Sequence, residues 1–394
     1  MGALTSLLEL PIAEQELRGL TFTPQEIAQQ PETWRRTAQL FESEQEKLVA
    51  FLERAGVVGP LEKRPVVMLI GAGTSDYIGE SLAPLLRKRW GCETSAVAST
   101  SLLPSLSEYV VPGRRYLWIS FSRSGDSPEG VNVLEQALEM YPEISHLVVT
   151  CNPHSRMAAL AANQPHACTA VLDDAVNDRS LAMTSSFTNM VIFGQCLAHA
   201  RSFAEYQPIL EGMIASAKRF IADSADLSKA IAEHGTQRIC MIGSGSLAAV
   251  AQEASLKVLE MSGGHIKTMS QTSLGLRHGP MAALDSDTDL ICFLSSERTR
   301  VRYEIDLLRE IRAKKITATC IVVGLKSSEA EALPFCDIYH AIDGSFPDAY
   351  RPPVDVIFGQ LLGLYSSISL GLRPDAPSPA GVINRVVSDF TIYR

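Results

Sequence analysis

The chain has 394 residues, 46% of them hydrophobic and 20% charged, which is enough for two hydrophobic cores of ordinary domain size. Its 44 acidic residues against 35 basic ones give a formal net charge of −9, which argues against nucleic acid or an anionic membrane as the main partner. A phosphorylated ligand would therefore have to be bound by local hydrogen-bond donors.

Residues 1–55 are predicted to form an N-terminal helical extension. Thr23 and Glu26 have the spacing of a capping box, with Pro24 at the first helical position. From Trp34 to Phe51 the apolar residues recur at the spacing of one helix face. We expect this face to pack onto the rest of the chain or onto a second subunit.

The chain then repeats itself. The stretches 66–75 and 238–247 are similar, with Gly71 opposite Gly243. Around them, apolar runs rich in Val and Ile alternate with amphipathic stretches, a pattern typical of parallel sheets with helices on both faces. The predicted segments are the extension at 1–55, an α/β domain at 56–225, a second α/β domain at 226–372 and a C-terminal tail at 373–394.

A hydroxyl-rich turn follows one of the apolar runs. It contains Ser122, Arg123, Ser124 and Ser127, and Pro128 opens the next helical stretch. A helix start offers unpaired N–H groups and the positive end of the helix dipole, so a phosphate would bind well here. An ordinary Ser127 N-cap before Pro128 accounts for the same residues, so both interpretations stay open.

The eight cysteines and eight histidines show no spacing typical of a metal site, and none is predicted. Several cysteines lie inside predicted strands, so we expect them to be buried core residues in a reducing compartment. Residues 1–20 lack the regions of a signal peptide, and the apolar stretch 354–372 contains Gln and Ser residues that suit a buried helix. A soluble cytoplasmic protein is expected.

Several motifs resemble, in order, the sugar isomerase (SIS) domains of the isomerase half of glucosamine-6-phosphate synthase. They are Gly-Ala-Gly-Thr-Ser at 71–75, Ser-Arg-Ser-Gly-Asp-Ser at 122–127, the helix 253–260 and Leu-Arg-His-Gly-Pro at 276–280. With the N-terminal helices and the tail, the chain is similar to the AgaS group of tagatose-6-phosphate ketose/aldose isomerases, also called galactosamine-6-phosphate deaminases. The resemblance implies two tandem SIS domains, each a parallel five-stranded sheet flanked by helices, with a tail that closes the site.

The resemblance also implies a proton transfer between C1 and C2 of a sugar 6-phosphate. Glu260 matches the glutamate that moves the proton, and His278 matches a histidine that opens the ring and comes from a neighbouring subunit. Lys257 shares a helix face with Glu253 and Glu260 and joins the candidate catalytic set, although a surface ion pair is the alternative. Arg385 stands where the synthase has a nucleophilic lysine, and its permanent charge suits an oxyanion or carboxylate rather than covalent attack.

Two turns of the first copy are implied to bind the substrate. The candidate sugar-contacting residues are Gly73, Thr74 and Ser75, and the candidate phosphate-binding residues are Ser122, Arg123, Ser124 and Ser127. In the second copy the equivalent turn contains Glu297, which would repel a phosphate. One copy is thus expected to bind the phosphate and the other to supply Glu260.

Three functions remain open. The first is a deaminating isomerase that converts galactosamine 6-phosphate to tagatose 6-phosphate and ammonia, and the second is a plain ketose/aldose isomerase. The third is a non-catalytic sugar-phosphate sensor, against which the presence of Glu260 and His278 argues. A dinucleotide-dependent oxidoreductase is disfavoured because Asp76 breaks the Gly-x-Gly-x-x-Gly pattern of the first copy. No cofactor is expected, and the resemblance implies a homodimer or higher homo-oligomer with shared active sites.

Overall fold

The computed structural model describes residues 2–388 and 390–393. Met1 of the predicted extension and Asp389 and Arg394 of the predicted tail lie outside the described residues. The chain forms two compact units, each discontinuous in sequence. The first unit comprises Glu32–Asp178, Ser185–Gln207 and the described residues from Ile383 onward, and the second comprises the described residues up to Pro31, Arg179–Thr184 and Pro208–Val382. The four contiguous segments stay a prediction about domain organisation.

The first unit contains a parallel five-stranded sheet. Its strands are β1 (Val66–Gly71), β2 (Thr94–Ala98), β3 (Tyr116–Ser122), β4 (Ser145–Thr150) and β5 (Ala167–Val171). The strand order is β2-β1-β3-β4-β5, and Leu69 of β1 pairs with Ile119 of β3. Every residue of β3 is buried, as expected for a central strand between two helix layers, and this explains its continuous apolar run.

The second unit repeats this topology. Its strands are β6 (Arg238–Gly243), β7 (Lys267–Thr272), β8 (Thr288–Phe293), β9 (Cys320–Leu325) and β10 (Ile338–Ile342). The order β7-β6-β8-β9-β10 is that of the first sheet. Gly73 after β1 has φ 55° and ψ −125°, and Gly245 after β6 has φ 60° and ψ −131°. The duplication and the predicted fold class are confirmed.

Helices surround both sheets. In chain order they are α1 (Ala3–Leu8), α2 (Ile12–Arg18), α3 (Thr23–Ala28), α4 (Gln30–Arg54), α5 (Thr74–Trp90), α6 (Ser99–Tyr109), α7 (Pro128–Met140), α8 (Arg156–Ala161), α9 (Ser185–Ala198), α10 (Phe203–His234), α11 (Ser246–Met261), α12 (Arg298–Lys314), α13 (Glu329–Ala332) and α14 (Pro352–Ser369). The amphipathic stretches between strands form helices such as α7 and α12, as predicted.

The N-terminal region is helical, as predicted, but the predicted capping box is wrong. Helix α3 begins at Thr23 itself, and the Thr23 hydroxyl donates to Asp375 Oδ1 at 2.7 Å. The Glu26 carboxylate accepts from the backbone N–H groups of Arg179 and Ser180. The Thr23 and Glu26 side chains therefore form hydrogen bonds with residues distant in sequence and not with each other's backbone, as a capping box would require.

The apolar face of α4 packs within the first unit. The Trp34 indole N–H donates to Thr188 Oγ1 of α9 at 3.0 Å, and the Phe41 ring contacts Phe193 edge-on with centroids 5.8 Å apart. Trp34 and Phe41 are completely buried. This confirms packing onto the rest of the chain, and the face is no argument for a second subunit.

Helices α11 and α14 pack closely in the second unit. The stretch predicted as a buried helix forms α14, which is buried along nearly all of its length. A Cβ at Gly359 would lie 2.3 Å from the Ala254 Cβ, and one at Gly363 would lie 2.9 Å from the Lys257 carbonyl oxygen. Glycine therefore permits the close approach of α14 to α11. Among the described helices, none is long and apolar enough to cross a membrane.

Candidate active site

The candidate sugar-contacting turn joins β1 to α5. Gly73 has a positive φ, which glycine adopts without strain. Thr74 and Ser75 are buried and begin α5. Because the turn follows the carboxyl end of β1, it lies where open parallel sheets bind their ligands. The structure brings these three residues together at that edge of the first sheet.

The hydroxyl-rich turn joins β3 to α7 at the same edge. Ser122 Oγ accepts from the Gly125 N–H at 3.1 Å, and Ser124 Oγ accepts from the Asp126 N–H at 3.2 Å. Ser127 occupies the N-cap position of α7, but its side chain makes no capping hydrogen bond, so the ordinary N-cap interpretation does not hold. In the described part of the chain, the Ser124 and Ser127 hydroxyls donate to no acceptor. Two hydroxyl donors thus remain for a ligand at a helix start.

Two arginines join this turn to the C-terminal tail. The buried Arg123 guanidinium donates to the Arg385 carbonyl oxygen at 2.7 Å. The Arg385 guanidinium donates to Asn177 Oδ1 at 2.8 Å and to the Asp178 carbonyl oxygen at 2.6 Å. The tail is therefore held beside the turn, and neutral oxygens bind the Arg385 side chain. The role of Arg385 towards an oxyanion stays a prediction.

A row of three charged side chains lies on α11 in the second unit. Lys257 Nζ is 2.7 Å from Glu260 Oε2 and 3.3 Å from Glu253 Oε1. The Lys257 and Glu253 side chains are 1% and 0% exposed, whereas Glu260 is 24% exposed. The surface ion pair considered from the sequence is therefore wrong. The row is buried at Glu253 and reaches solvent only at the Glu260 carboxylate.

Lys257 keeps its proton in this row. Burial alone would lower the pKa of Lys257, but the carboxylates of Glu253 and Glu260 outweigh it and raise the pKa above the ordinary value. A protonated amine cannot attack a carbonyl group. Lys257 is therefore suited to hold the Glu260 carboxylate in place rather than to form a covalent intermediate.

His278 lies in an exposed loop of the second unit. It follows a short 3₁₀ turn, Gly275–Arg277, in which Leu276 is completely buried. Arg277 Nε donates to Glu310 Oε2 at 2.7 Å and fixes the other side of the turn. His278 itself is exposed. The loop is thus anchored by its neighbours and presents the imidazole to solvent.

No protein-family model matches the chain. The chain is 32% identical over 376 residues to D-galactosamine-6-phosphate deaminase AgaS of Escherichia coli, and the match covers 95% of this chain and 96% of that protein. The chain belongs to the AgaS family.

Two solved structures agree with this membership. Tagatose-6-phosphate ketose/aldose isomerase from Escherichia coli is 30% identical to this AgaS-family chain and superposes with a TM-score of 0.82, over 92% of this chain and 96% of that one. The C-terminal domain of glucosamine-fructose-6-phosphate aminotransferase from Francisella tularensis is 20% identical, with a TM-score of 0.73, over 89% of this chain and 96% of that one. This second likeness concerns the fold, and the two sheets with their helices are tandem SIS domains.

This AgaS-family protein also carries an acidic group that the sequence analysis did not assign. Asp76 lies in the first turn of α5, next to Ser75, and burial together with the Glu80 carboxylate raises its pKa to about 6. A carboxyl group with a raised pKa at the carboxyl edge of a parallel sheet, where such sheets generally bind ligands, is a candidate proton donor or acceptor. The sequence signal was the Asp76 to Glu80 spacing of one helical turn, directly after the Gly-Thr-Ser motif.

The described residues of this AgaS-family protein include no group of three or more His, Cys, Asp or Glu side chains placed to hold a metal ion. The candidate residues themselves offer a carboxylate, an ammonium group, an imidazole and hydroxyl donors. Such groups suit proton transfer and the binding of an anion.

Proposed function

We propose that this protein converts galactosamine 6-phosphate into tagatose 6-phosphate and ammonia. The observation that carries the proposal is the Glu260 carboxylate, held by the buried Lys257 and exposed only in part. The name of the relative from Escherichia coli, D-galactosamine-6-phosphate deaminase, supports the substrate.

The proposed reaction needs an isomerisation, in which a proton moves from C2 to C1, and one hydrolysis. His278 opens the sugar ring, which places an aldehyde at C1 beside the amine-bearing C2. Glu260 removes the proton from C2 and returns it to C1, while one proton of the amine passes to the C1 oxygen, so that C1 becomes a hydroxymethyl group and C2 an imine. Water adds to the imine and ammonia leaves, so one water is consumed, one ammonia is released and the product is the 2-ketose. No net oxidation or reduction occurs, and no redox cofactor is invoked.

Lys257 has a positioning role in this proposal. Its ammonium group orients Glu260 and neutralises the carboxylate in the ground state, while Glu253 keeps Lys257 charged. The raised pKa of Lys257 supports this arrangement because a neutral lysine would lose both ion pairs.

The hydroxyl-rich turn is the proposed phosphate site. The phosphate oxygens would accept hydrogen bonds from the Ser124 and Ser127 hydroxyls and from the backbone N–H groups at the start of α7. In the substrate, the phosphate is far from C1 and C2. Gly73, Thr74 and Ser75 would contact the sugar. The binding energy of the phosphate is thus used mainly to hold the substrate rather than to lower the chemical barrier.

The second candidate function is a plain ketose/aldose isomerase on an unaminated sugar 6-phosphate. The name of the second relative from Escherichia coli, tagatose-6-phosphate ketose/aldose isomerase, favours it. The same Glu260 would move the same proton, and only the group on C2 would differ. A non-catalytic sensor would not need a proton acceptor such as the Glu260 carboxylate, which Lys257 holds in place.

One experiment separates these functions. The purified protein is incubated with galactosamine 6-phosphate, glucosamine 6-phosphate and tagatose 6-phosphate in turn, with ammonia and sugar products assayed separately and Glu260→Gln as the blank. We expect equal amounts of ammonia and ketose from galactosamine 6-phosphate alone. Conversion of tagatose 6-phosphate to an aldose with no release of ammonia from either amino sugar would favour the plain isomerase. If none of the three sugar phosphates reacts, the result would favour a non-catalytic sugar-phosphate sensor.

We also propose that the active protein is a homodimer or higher oligomer with shared active sites. The exposed, anchored loop of His278 supports a histidine that is presented to a neighbouring chain.

We further propose a cytoplasmic location, because all eight cysteines are buried and free, which suits a reducing compartment. Cell fractionation with a periplasmic marker tests the location.

A further inference from the structure

The second unit has its own version of the hydroxyl-rich turn. It follows β8, as the first follows β3, and Ser296 stands where the first unit has Ser124. Glu297, which is expected from the sequence to repel a phosphate at this turn, is exposed at the start of α12, and that expectation stays a prediction. The donors of the turn point instead to a carboxylate from elsewhere in the second unit.

That carboxylate belongs to Asp348, which is 1% exposed. Asp348 Oδ1 accepts from the Ser296 N–H at 2.9 Å and from the Ser296 hydroxyl at 2.7 Å. Asp348 Oδ2 accepts from the Ser295 hydroxyl and from Arg300 Nη1 at 3.4 Å. One backbone amide, two hydroxyls and a guanidinium therefore converge on a single anionic group, as they would on a bound oxyanion.

A second guanidinium completes the set. Arg351 Nη1 donates to Asp348 Oδ1 at 3.1 Å and to the Leu294 carbonyl oxygen at 2.8 Å, and Arg351 is completely buried. Burial alone would raise the pKa of Asp348, but Arg351 and the hydrogen bonds from Ser295 and Ser296 hold the pKa below its ordinary value. Asp348 is therefore an ionised carboxylate, and it is the hydrogen-bond acceptor of the surrounding donors.

In the first unit, no carboxylate among the described residues accepts from the hydroxyl of the matching serine, Ser124. The corresponding short 3₁₀ turn between β5 and α9, Asp174–Val176, leaves Asp174 exposed, whereas Asp348–Tyr350 between β10 and α14 buries Asp348. The Ser124 hydroxyl meets no acceptor among the described residues, whereas the Ser296 hydroxyl donates to Asp348. Among the described residues, the two turns thus differ in whether a carboxylate accepts from the serine hydroxyl.

We propose that Asp348 is a built-in anion occupying a latent anion-binding site of the second unit, and that its removal opens this site to a small carboxylate. This part rests on the proposed function: if the first turn is the phosphate site, Asp348 accounts for one such site rather than two in a duplicated chain. Truncating Asp348 leaves buried donors without an acceptor beside a buried guanidinium, which is costly. A formate ion has the size and charge of the group removed and would satisfy the same donors.

Chemical rescue tests the proposal. Asp348→Ala is made in a Ser124→Ala/Ser127→Ala background, so that the first turn adds nothing, and thermal unfolding is followed in formate and in chloride at equal ionic strength. We expect formate to raise the melting temperature of the Asp348→Ala protein saturably and by several degrees more than chloride, and the parent to respond equally to both salts. If the variant does not accumulate folded, its refolding yield from urea is compared in the two salts, and formate should raise it. An equal response to formate and chloride would overturn the inference.

Asp348→Asn is the matched control. The amide fills the volume of the carboxylate, so formate has no room to bind, and we expect no formate-specific stabilisation although this variant is also weakened. A formate effect in Asp348→Asn as large as in Asp348→Ala would mean that the ion binds elsewhere, and would contradict the proposal. Because the readout is stability and the first turn is disabled, the outcome is independent of the proposed enzymatic activity.

Discussion

Glu260 is the residue on which the proposed proton transfer depends. Replacing it by glutamine keeps the length and shape of the side chain but removes its ability to accept a proton. We expect Glu260→Gln to lower kcat by about 10³-fold and to change the affinity for the sugar phosphate little. Steady-state kinetics with galactosamine 6-phosphate measure the first effect, and equilibrium binding measures the second.

A surface ion pair of the same kind provides the control. Glu233 pairs with Lys229 on α10 at 2.5 Å, and both side chains are about half exposed, at 59% and 48%. Glu233→Gln should therefore keep normal turnover, since an exposed pair contributes little to stability. Near-normal turnover in a folded Glu260→Gln protein would rule out Glu260 as the base.

Ser124 and Ser127 should act on binding rather than on chemistry. Each hydrogen bond to a charged group is worth roughly 1.5 to 3 kcal/mol, so losing two should raise KM by roughly 10²-fold or more. We expect Ser124→Ala/Ser127→Ala to show this rise with only a small change in kcat, because the phosphate is remote from C1 and C2.

The control for this pair lies on α6 of the same unit. Ser101 and Ser107 are exposed, and Ser101→Ala/Ser107→Ala should leave KM unchanged. If the Ser124→Ala/Ser127→Ala protein binds the sugar phosphate as tightly as the parent, the phosphate site lies elsewhere.

For a single side chain, the sequence predicts an ion-pair or hydrogen-bond partner only when the two residues are close together in the chain. Lys257 and Glu260 are three residues apart on one helix face, and their pairing was visible. Their burial was not, because it depends on packing against other elements. Asp348 accepts a hydrogen bond from Ser296, which lies 52 residues earlier. No local sequence pattern predicts such a contact.

Helix α14 packs against α11, the helix that carries Glu260, through small residues. Gly359 faces Ala254, and an added methyl group would lie 2.3 Å from the Ala254 Cβ. We expect Gly359→Ala to push α11 away, to lower the free energy of unfolding by about 1 to 3 kcal/mol, and to reduce kcat because Glu260 moves with α11. Urea unfolding and steady-state kinetics measure the two effects.

Gly212 on α10 is the matched control. It is also a helical glycine of the second unit, but an added Cβ would meet nothing within 4 Å. Gly212→Ala should therefore stabilise the protein by roughly 0.5 to 1 kcal/mol, since alanine loses less conformational entropy in a helix. Equal effects of the two substitutions would contradict the packing argument.

Central elements were more predictable than edge elements. Strands such as β3 and β8 are buried at every residue and stand out as apolar runs. The edge strand β7 has no fully buried residue, and its sequence Lys-Thr-Met-Ser-Gln-Thr has no apolar run. Its existence followed from the family resemblance and not from its own pattern, because an edge strand needs only one buried face.

For the whole molecule, the repeat and the family could be predicted from the sequence, but the discontinuous units could not. The segment Arg179–Thr184 belongs to the second unit although its neighbours on both sides belong to the first. Glu26 binds the backbone of this segment at Arg179 and Ser180. The backbone of this segment is thus hydrogen-bonded to a carboxylate far away in sequence, a contact that composition and periodicity do not reveal.

The proposed shared active site makes a prediction for the oligomer. An exposed His278 on an anchored loop can serve the site of a neighbouring chain, so Glu260→Gln and His278→Ala proteins should each be inactive alone. In a heterodimer of the two, one of the two sites regains both residues, because an isologous dimer exchanges the same loop in both directions. We expect differently tagged, co-purified heterodimers to recover about half of the wild-type turnover per dimer. Heterodimers that form but stay inactive would place His278 in the site of its own chain, since no pairing of these two proteins could then unite the two side chains.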